Sequence, residues 1–199
     1  MRMLCLGDSY TIGEAVSENE RFPHQAVDLL RDRGLNFEQP RIIATTGWTT
    51  DELQKAIDDA NIPDTYDIVT LLIGVNNQYR GSDIDNYKDE FNLLLQRALQ
   101  FAGQNPDRIF VLSIPDWGVT PFAHDRDRNQ IAIEIDAFNE AAEMRTRHAG
   151  VTFIDIAPVS RGAVADNGLV ASDGLHPSGK MYGIWAAMLT PLVAKALER

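Results

Sequence analysis

The chain has 199 residues, of which 44% are hydrophobic and 24% are charged, a balance typical of one globular domain with a single core. Its 29 acidic and 18 basic side chains give a net charge of −11, which argues against nucleic acid or an anionic membrane surface as a partner. The sequence holds no apolar stretch long enough for an integral membrane segment.

Cysteine usage points to a reducing compartment. Cys5 is the only cysteine and lies in an apolar run, so we interpret it as a small buried hydrophobe that cannot form an internal disulfide. Together with the lack of a secretory leader in the sequence, this predicts a cytoplasmic protein. A leader removed ahead of residue 1 stays an open alternative, and the sequence does not predict the oligomeric state.

Short apolar runs alternate with longer helical patterns along the whole chain. In chain order the pattern predicts strand 3–6, helix 22–33, strand 41–45, helix 50–60, strand 67–73, helix 84–102, strand 108–114, helix 130–148, strand 151–154 and helix 180–197. In the first helix the residues expected to face the core are Ala26, Val27, Leu29 and Leu30. The stretch 157–172 shows no periodicity and is predicted as a long loop.

The alternation of strands and helices predicts the fold class. Nearly continuous apolar strands are typical of parallel sheets, which are buried on both faces, and alternation implies helices packed on both sides. We therefore predict one α/β domain over residues 1–199, built as a five-stranded sandwich. Ligands bind such sheets beyond the carboxyl ends of the strands, so the residues that follow each strand are the candidates for chemistry.

Three of these strand ends carry a residue that could act either in catalysis or only in a local cap or turn. Ser9 follows the first strand, and either it is a nucleophile or the Asp8-Ser9 pair caps a helix. Gly47 follows the second strand and Asn76 the third, and each could donate a hydrogen bond to an oxyanion. Taken singly, Gly47 and Asn76 are each better explained by an ordinary turn.

The last strand end carries an acid and an imidazole. Asp173 and His176 are three residues apart, so the carboxylate can accept from Nδ1 and leave Nε2 as a base. The alternative is a capping aspartate with an incidental surface histidine. Together with Ser9, Gly47 and Asn76, this pair completes the inventory for acyl transfer, which needs no metal or other cofactor.

Several side chains near these strand ends have open roles. We interpret His24, His124 and His148 as surface or structural residues, because they lack a metal-binding spacing. Arg80 and Arg126 are interpreted as solubilising rather than as contacts for an anionic substrate group. Aromatic residues after strands two to four either wall a substrate pocket or pack within loops: Trp48, Tyr79, Trp117 and Phe122.

The motifs resemble those of the SGNH, or GDSL-like lipase/acylhydrolase, family. Gly7-Asp8-Ser9-Tyr10, Gly47, Gly74-Val75-Asn76-Asn77 and Asp173-Gly174-Leu175-His176 match four of its blocks in order, over nearly the whole chain. The resemblance implies a flavodoxin-like three-layer α/β/α sandwich with strand order 2-1-3-4-5. Asn77 stands where the family usually has aspartate, so the resemblance does not predict which hydrogen bonds this loop forms.

The function expected from the triad is cleavage of a small carboxylic ester, such as a short acyl ester or an acetylated carbohydrate, through an acyl-enzyme on Ser9. The backbone N–H groups of Ser9 and Gly47 and the Asn76 amide are expected to form the oxyanion hole. Open alternatives are a lysophospholipase, a thioesterase or an acyltransferase with the same triad. A flavodoxin-like ligand-binding module is the non-enzymatic alternative, although the loop at Ser9 lacks the glycines of a phosphate cradle.

Overall fold

The computed structural model describes residues 1–198 and contains a five-stranded, all-parallel sheet in the order β2-β1-β3-β4-β5. The strands are β1 (Met3–Gly7), β2 (Arg41–Ala44), β3 (Ile68–Leu72), β4 (Ile109–Leu112) and β5 (Thr152–Ile154). The predicted fold class and strand order are confirmed. Every residue of β1, β3 and β4 is buried, as their continuous apolar runs predict.

Helices cover the sheet on both faces. The long helices are α2 (Phe22–Asp32), α3 (Thr50–Ala60), α5 (Ile84–Phe101), α6 (Arg128–His148) and α8 (Gly179–Leu197). Helix α2 packs against α8, whereas α5 packs against α3 and α6. Three short helices, α1 (Ser9–Ile12), α4 (Val75–Tyr79) and α7 (Ala157–Arg161), each follow a strand at the edge where the site lies.

Local capping explains why the long helices begin close to their predicted residues. Thr49 and Glu52 form a capping box at the start of α3, and the Thr49 N–H donates to Glu52 at 2.9 Å. Asp83 and Asp127 cap α5 and α6 by accepting backbone N–H groups of the first turn. Helix α3 ends at Asn61, which has a left-handed φ of 41°.

Two details of the sequence prediction are wrong. Leu29 is 37% exposed, because the buried face of α2 is formed by residues 22, 23, 24, 26, 27 and 30 and leaves position 29 on the flank. The stretch 157–172 is not a structureless loop, since it contains α7 and two short 3₁₀ turns. Elements of one turn are too short to show helical periodicity in a sequence.

Candidate active site

Ser9 is the first residue of α1, directly beyond the carboxyl end of β1. Asp8 caps this helix, and its Oδ1 accepts the backbone N–H of Tyr10 at 3.0 Å. A Cβ at Gly7 would lie 2.4 Å from the Leu72 carbonyl oxygen, so only glycine permits this close approach. Ser9 is 5% exposed and therefore largely buried.

Asp8 is fully buried beside the serine. Its second oxygen, Oδ2, has no hydrogen-bond partner within residues 1–198. Burial raises the pKa of the Asp8 carboxyl to about 7, and the N–H of Tyr10 opposes this shift only in part. The carboxyl next to the serine is therefore protonated in a large share of molecules at neutral pH.

His176 and Asp173 meet across one tight turn after β5, where Gly174 has a φ of 74°. Nδ1 of the imidazole lies 2.5 Å from Oδ2 of Asp173, and Oδ1 accepts the backbone N–H groups of Leu175 and His176, each at 3.0 Å. Burial raises the pKa of the Asp173 carboxyl, but these hydrogen bonds outweigh it and hold the pKa below its usual value. An ionised carboxylate here fixes Nδ1 as the donor and leaves Nε2 as the basic nitrogen.

A second aromatic ring and a backbone hydrogen bond also hold His176 in place. The ring of Tyr10 contacts the ring of His176 edge-on, with centroids 5.6 Å apart. The His176 carbonyl oxygen accepts the N–H of Ala171 at 2.7 Å, which anchors the loop backbone. Both Ser9 and His176 line one cavity, although no hydrogen bond joins the hydroxyl to the imidazole in the part of the chain described. Such bonds are often long in enzymes without substrate.

Gly47 and Asn76 line the same cavity as His176, and two hydrogen bonds join the segments that carry them. Nδ2 of Asn76 donates to the Trp48 carbonyl at 2.9 Å, which uses one of its two amide protons. Nη2 of Arg80, one turn further along the same helical stretch, donates to the Gly47 carbonyl at 2.6 Å. The two bonds fix the orientation of the peptide groups around Gly47, whose φ is 90°.

Arg80 is thus a structural residue of the site rather than merely a solubilising one. Its guanidinium also forms an ion pair with Glu52 at 3.4 Å, and Glu52 caps helix α3. The sequence contains one signal for this role, because residues four apart on a helix, such as Asn76 and Arg80, project to the same side.

Both polar atoms of the Asn77 side chain have a hydrogen-bond partner. Its Oδ1 accepts the Thr50 backbone N–H at 3.1 Å, and its Nδ2 donates to the Thr50 hydroxyl at 2.7 Å. The Thr50 hydroxyl in turn donates to Glu90. Asparagine at this position therefore joins α4 to the start of α3, and the departure from the family motif leaves the loop hydrogen-bonded.

The site cavity has a volume of about 170 Å³ and brings together most of the residues predicted for the site. Ser9, Gly47, Asn76 and His176 line it, together with the aromatic residues Tyr79, Trp117 and Phe122. The three aromatic rings contact one another with centroids 5.3 to 6.4 Å apart. Trp48 does not line the cavity. Further lining residues that the sequence analysis does not single out are Tyr10, Thr46, Val75 and Leu175.

The other histidines lie elsewhere. Nε2 of His24 is 3.1 Å from a Glu18 oxygen, and Nε2 of His124 is 2.7 Å from an Asp125 oxygen. Residues 1–198 hold no cluster of three histidine, cysteine or carboxylate side chains placed to bind a metal ion. Within the same residues, no helix has the length and apolar character needed to cross a membrane.

A parallel α/β sheet that gathers a serine, an imidazole–carboxylate pair and an amide around one cavity is typical of serine hydrolases. The model of the GDSL-like lipase/acylhydrolase family matches residues 5–184, and the chain belongs to this family. It is accordingly a carboxylic ester hydrolase. No curated protein matches the chain by sequence.

Solved structures share the fold at low sequence identity. The crystal structure of TesA is 15% identical with a TM-score of 0.78, covering 98% of this chain and 99% of that chain. A lipase/acylhydrolase from Enterococcus faecalis is 17% identical with a TM-score of 0.73, covering 98% and 96%. Axe2, an acetylxylan esterase from Geobacillus stearothermophilus, is also 17% identical with a TM-score of 0.73, covering 96% and 93%.

Proposed function

We propose that this hydrolase cleaves a small carboxylic ester, either a short acyl ester or an acetylated carbohydrate, through a covalent acyl-enzyme on Ser9. The observation that carries the proposal is that Ser9 and His176 line the same cavity while Asp173 holds the opposite nitrogen of the imidazole. A serine hydroxyl and an imidazole that a carboxylate orients therefore share one cavity, and these are the groups of a catalytic triad.

In the first half of the reaction, Oγ of Ser9 attacks the acyl carbonyl carbon and its proton passes to Nε2 of His176. The carboxylate of Asp173 stabilises the imidazolium that forms. The negative oxygen of the tetrahedral intermediate accepts the backbone N–H groups of Ser9 and Gly47 and the second amide proton of Asn76, which Trp48 leaves free.

In the second half, the intermediate collapses. The imidazolium of His176 gives its proton to the leaving alcohol oxygen as the ester C–O bond breaks, which leaves the acyl group on Ser9. Water then attacks the acyl-enzyme while His176 takes one of its protons. The second tetrahedral intermediate releases the carboxylic acid and restores the Ser9 hydroxyl.

The size of the site cavity supports a short acyl group. An engineered apolar cavity of about 150 Å³ holds one benzene molecule, so about 170 Å³ is room enough for a short acyl group. The aromatic lining suits an alkyl chain, because it offers apolar contact and few hydrogen-bonding groups.

The decisive experiment replaces Ser9 with alanine. We expect Ser9→Ala to lower kcat for p-nitrophenyl butanoate by about 10³-fold or more and to abolish labelling by a fluorophosphonate probe. Ser82→Ala is the matched control, because Ser82 follows α4 without lining the site cavity. Labelling of the Ser9→Ala protein at the wild-type rate would exclude Ser9 as the nucleophile.

A substrate panel separates the proposed function from other chemistry of the same triad. Acetylated xylosides, p-nitrophenyl esters of graded length, an acyl-thioester and a long-chain lysophospholipid would be compared by kcat/KM, with and without an added alcohol acceptor. We expect the short oxygen esters to be fastest and free acid to be the main product. A preference for the lysophospholipid, the thioester or the alcohol acceptor would contradict the proposal.

A further inference from the structure

A second cavity of about 410 Å³ lies beside the site cavity, and the two share a wall. Tyr79 and Trp117 line both cavities, whereas Ser9 lines only the site cavity and Gln130 only the second one. The second cavity has more than twice the volume of the first. The second cavity is open to solvent, and the aromatic wall lies between it and the cavity that Ser9 lines.

Trp117 forms the buried part of this wall. It is 5% exposed, whereas Tyr79 is 47% exposed. Nε1 of Trp117 donates to Oε1 of Gln78 at 2.8 Å. Because an indole nitrogen can only donate, Gln78 must turn its carbonyl oxygen towards Trp117 and its amide nitrogen away from it.

Glu134 completes this chain of hydrogen bonds. The Gln78 amide nitrogen donates to Oε2 of Glu134 at 2.6 Å, while Oε1 accepts from Gln130 at 2.8 Å. Gln78 is 6% exposed, so loss of the carboxylate would leave a nearly buried amide without its acceptor. Helices α4 and α6 are thereby joined to the turn that carries Trp117, and the orientation of the indole depends on all three segments.

We propose that Trp117 is the residue that limits the length of the acyl group, and that Glu134, acting through Gln78, is a positioning residue that keeps the indole in the wall. This inference rests on the proposed esterase function. The second cavity is closed to the acyl chain by the wall, and it becomes an extension of the site cavity when the indole is removed or released.

The first test is Trp117→Ala, assayed with p-nitrophenyl esters from acetate to decanoate. Each methylene newly buried in the opened space is expected to raise kcat/KM about fourfold. The ratio of kcat/KM for octanoate to that for butanoate should therefore rise at least tenfold, through a lower KM for octanoate. Tyr79→Ala removes the exposed part of the wall and should shift the ratio in the same direction without disturbing the buried contacts of Trp117.

The positioning role of Glu134 has its own set of variants. Glu134→Ala should raise the octanoate-to-butanoate ratio by a few fold, because the freed Gln78 no longer holds the indole. Glu134→Gln should restore the wild-type ratio in part, since its carbonyl oxygen can still accept from Gln78. Gln130→Ala is the matched control, because it removes a hydrogen bond to the same carboxylate on the oxygen that faces away from Gln78.

Binding measurements separate this inference from the proposed function. Calorimetry with octanoate and butanoate needs no turnover, and Trp117→Ala should bind octanoate more tightly than wild type does while its affinity for butanoate changes little. Unchanged chain-length and binding profiles in both folded wall variants would overturn the inference even if Ser9→Ala is inactive. A wild-type protein that hydrolyses no ester would overturn the proposed function, and the octanoate measurement would still decide the role of the wall.

Discussion

Two aspartates flank the proposed catalytic residues, and they differ in charge. Asp8 precedes Ser9, and Asp173 lies three residues before His176. Asp8 is fully buried, with one oxygen unpartnered among residues 1–198, and its pKa is raised to about 7. Asp173 accepts two backbone N–H groups and the imidazole, and its pKa is lowered. The pKa values of the two carboxyl groups are thus shifted in opposite directions.

Two differences explain these opposite shifts: Asp8 is fully buried whereas the side chain of Asp173 is 32% exposed, and Asp173 accepts more hydrogen bonds. A carboxylate that leaves water loses several kcal/mol of solvation unless hydrogen bonds replace it. Asp173 has three donors and stays ionised, which suits it to stabilise an imidazolium. Asp8 is a helix cap with one side-chain oxygen bonded to the Tyr10 N–H and the other unpartnered, so a large share of it stays protonated at neutral pH. Catalysis should therefore depend on the charge of Asp173 and not on that of Asp8.

The largest expected effect comes from Asp173→Asn. The new amide can still accept the two backbone N–H groups through its oxygen, but its NH₂ group would face Nδ1 of His176 and favour the wrong tautomer. We expect kcat for p-nitrophenyl butanoate to fall by about 10³–10⁴-fold with little change in KM. Steady-state kinetics on protein with an unchanged far-UV circular dichroism spectrum would measure this.

Asp8→Asn is the matched control for that substitution, because it makes the same change at the carboxyl whose charge is not expected to matter. Its kcat should stay within about tenfold of wild type. Comparable losses in the two variants would contradict the division of roles between the aspartates.

Much of the fold is readable from the sequence because its signals are local. The continuous apolar runs of β1, β3 and β4 predict a parallel sheet, and the helical pattern predicts the starts of α3, α5 and α6 within two residues of their observed positions. The strand order followed from the family resemblance rather than from these patterns. Short helices are missed because one turn gives no periodicity.

The contacts of the candidate site are likewise predictable from the sequence only where they are local. The contact between Asp173 and His176 is predictable, since three residues of spacing bring the two side chains across one turn. The bond from Arg80 to Gly47 and the path from Trp117 to Glu134 join segments that are distant along the chain. No local pattern encodes such pairings, because the folded sheet decides which loops are neighbours.

The next largest effect is on stability, and its sign follows from the pKa of Asp8. Between its usual pKa of 3.8 and the folded value of about 7, the folded protein holds a proton on Asp8 that the unfolded chain has lost. Stability therefore falls as the pH rises through this window and shows no further loss from this group above it. Asp8→Asn mimics the protonated carboxyl and should remove this part of the pH dependence.

Thermal melts of both proteins from pH 4 to pH 8 measure the difference. The melting temperatures should agree near pH 4, and the variant should be more stable at pH 8 by about 1–4 kcal/mol, which is several degrees. A constant difference in melting temperature between the two proteins across the whole pH range would show that the pKa of Asp8 is not raised in the folded protein. The two aspartates would then not differ in the way described above.

The smallest expected effect comes from Asn77→Asp, which places a third carboxyl at the site. Its oxygen can still accept the Thr50 N–H at the start of α3, where a negative charge gains about 0.3–1 kcal/mol from the helix dipole. The Asn77 bond to the Thr50 hydroxyl is lost, however, because that hydroxyl already donates its proton to Glu90. The lost bond costs about 1 kcal/mol, and residue 77 is 2% exposed, so burial of the new charge adds to the cost.

The costs exceed the gain, and we expect Asn77→Asp to unfold about 1 kcal/mol more easily at pH 8 in urea titrations. Protonation of one carboxyl supplies the missing donor, so the deficit should shrink at pH 5. The double variant Asn77→Asp with Glu90→Gln should recover stability at pH 8, because it removes the competing carboxylate. A single variant as stable as wild type at pH 8 would mean that the helix dipole and Thr50 together compensate for the burial of a carboxylate here.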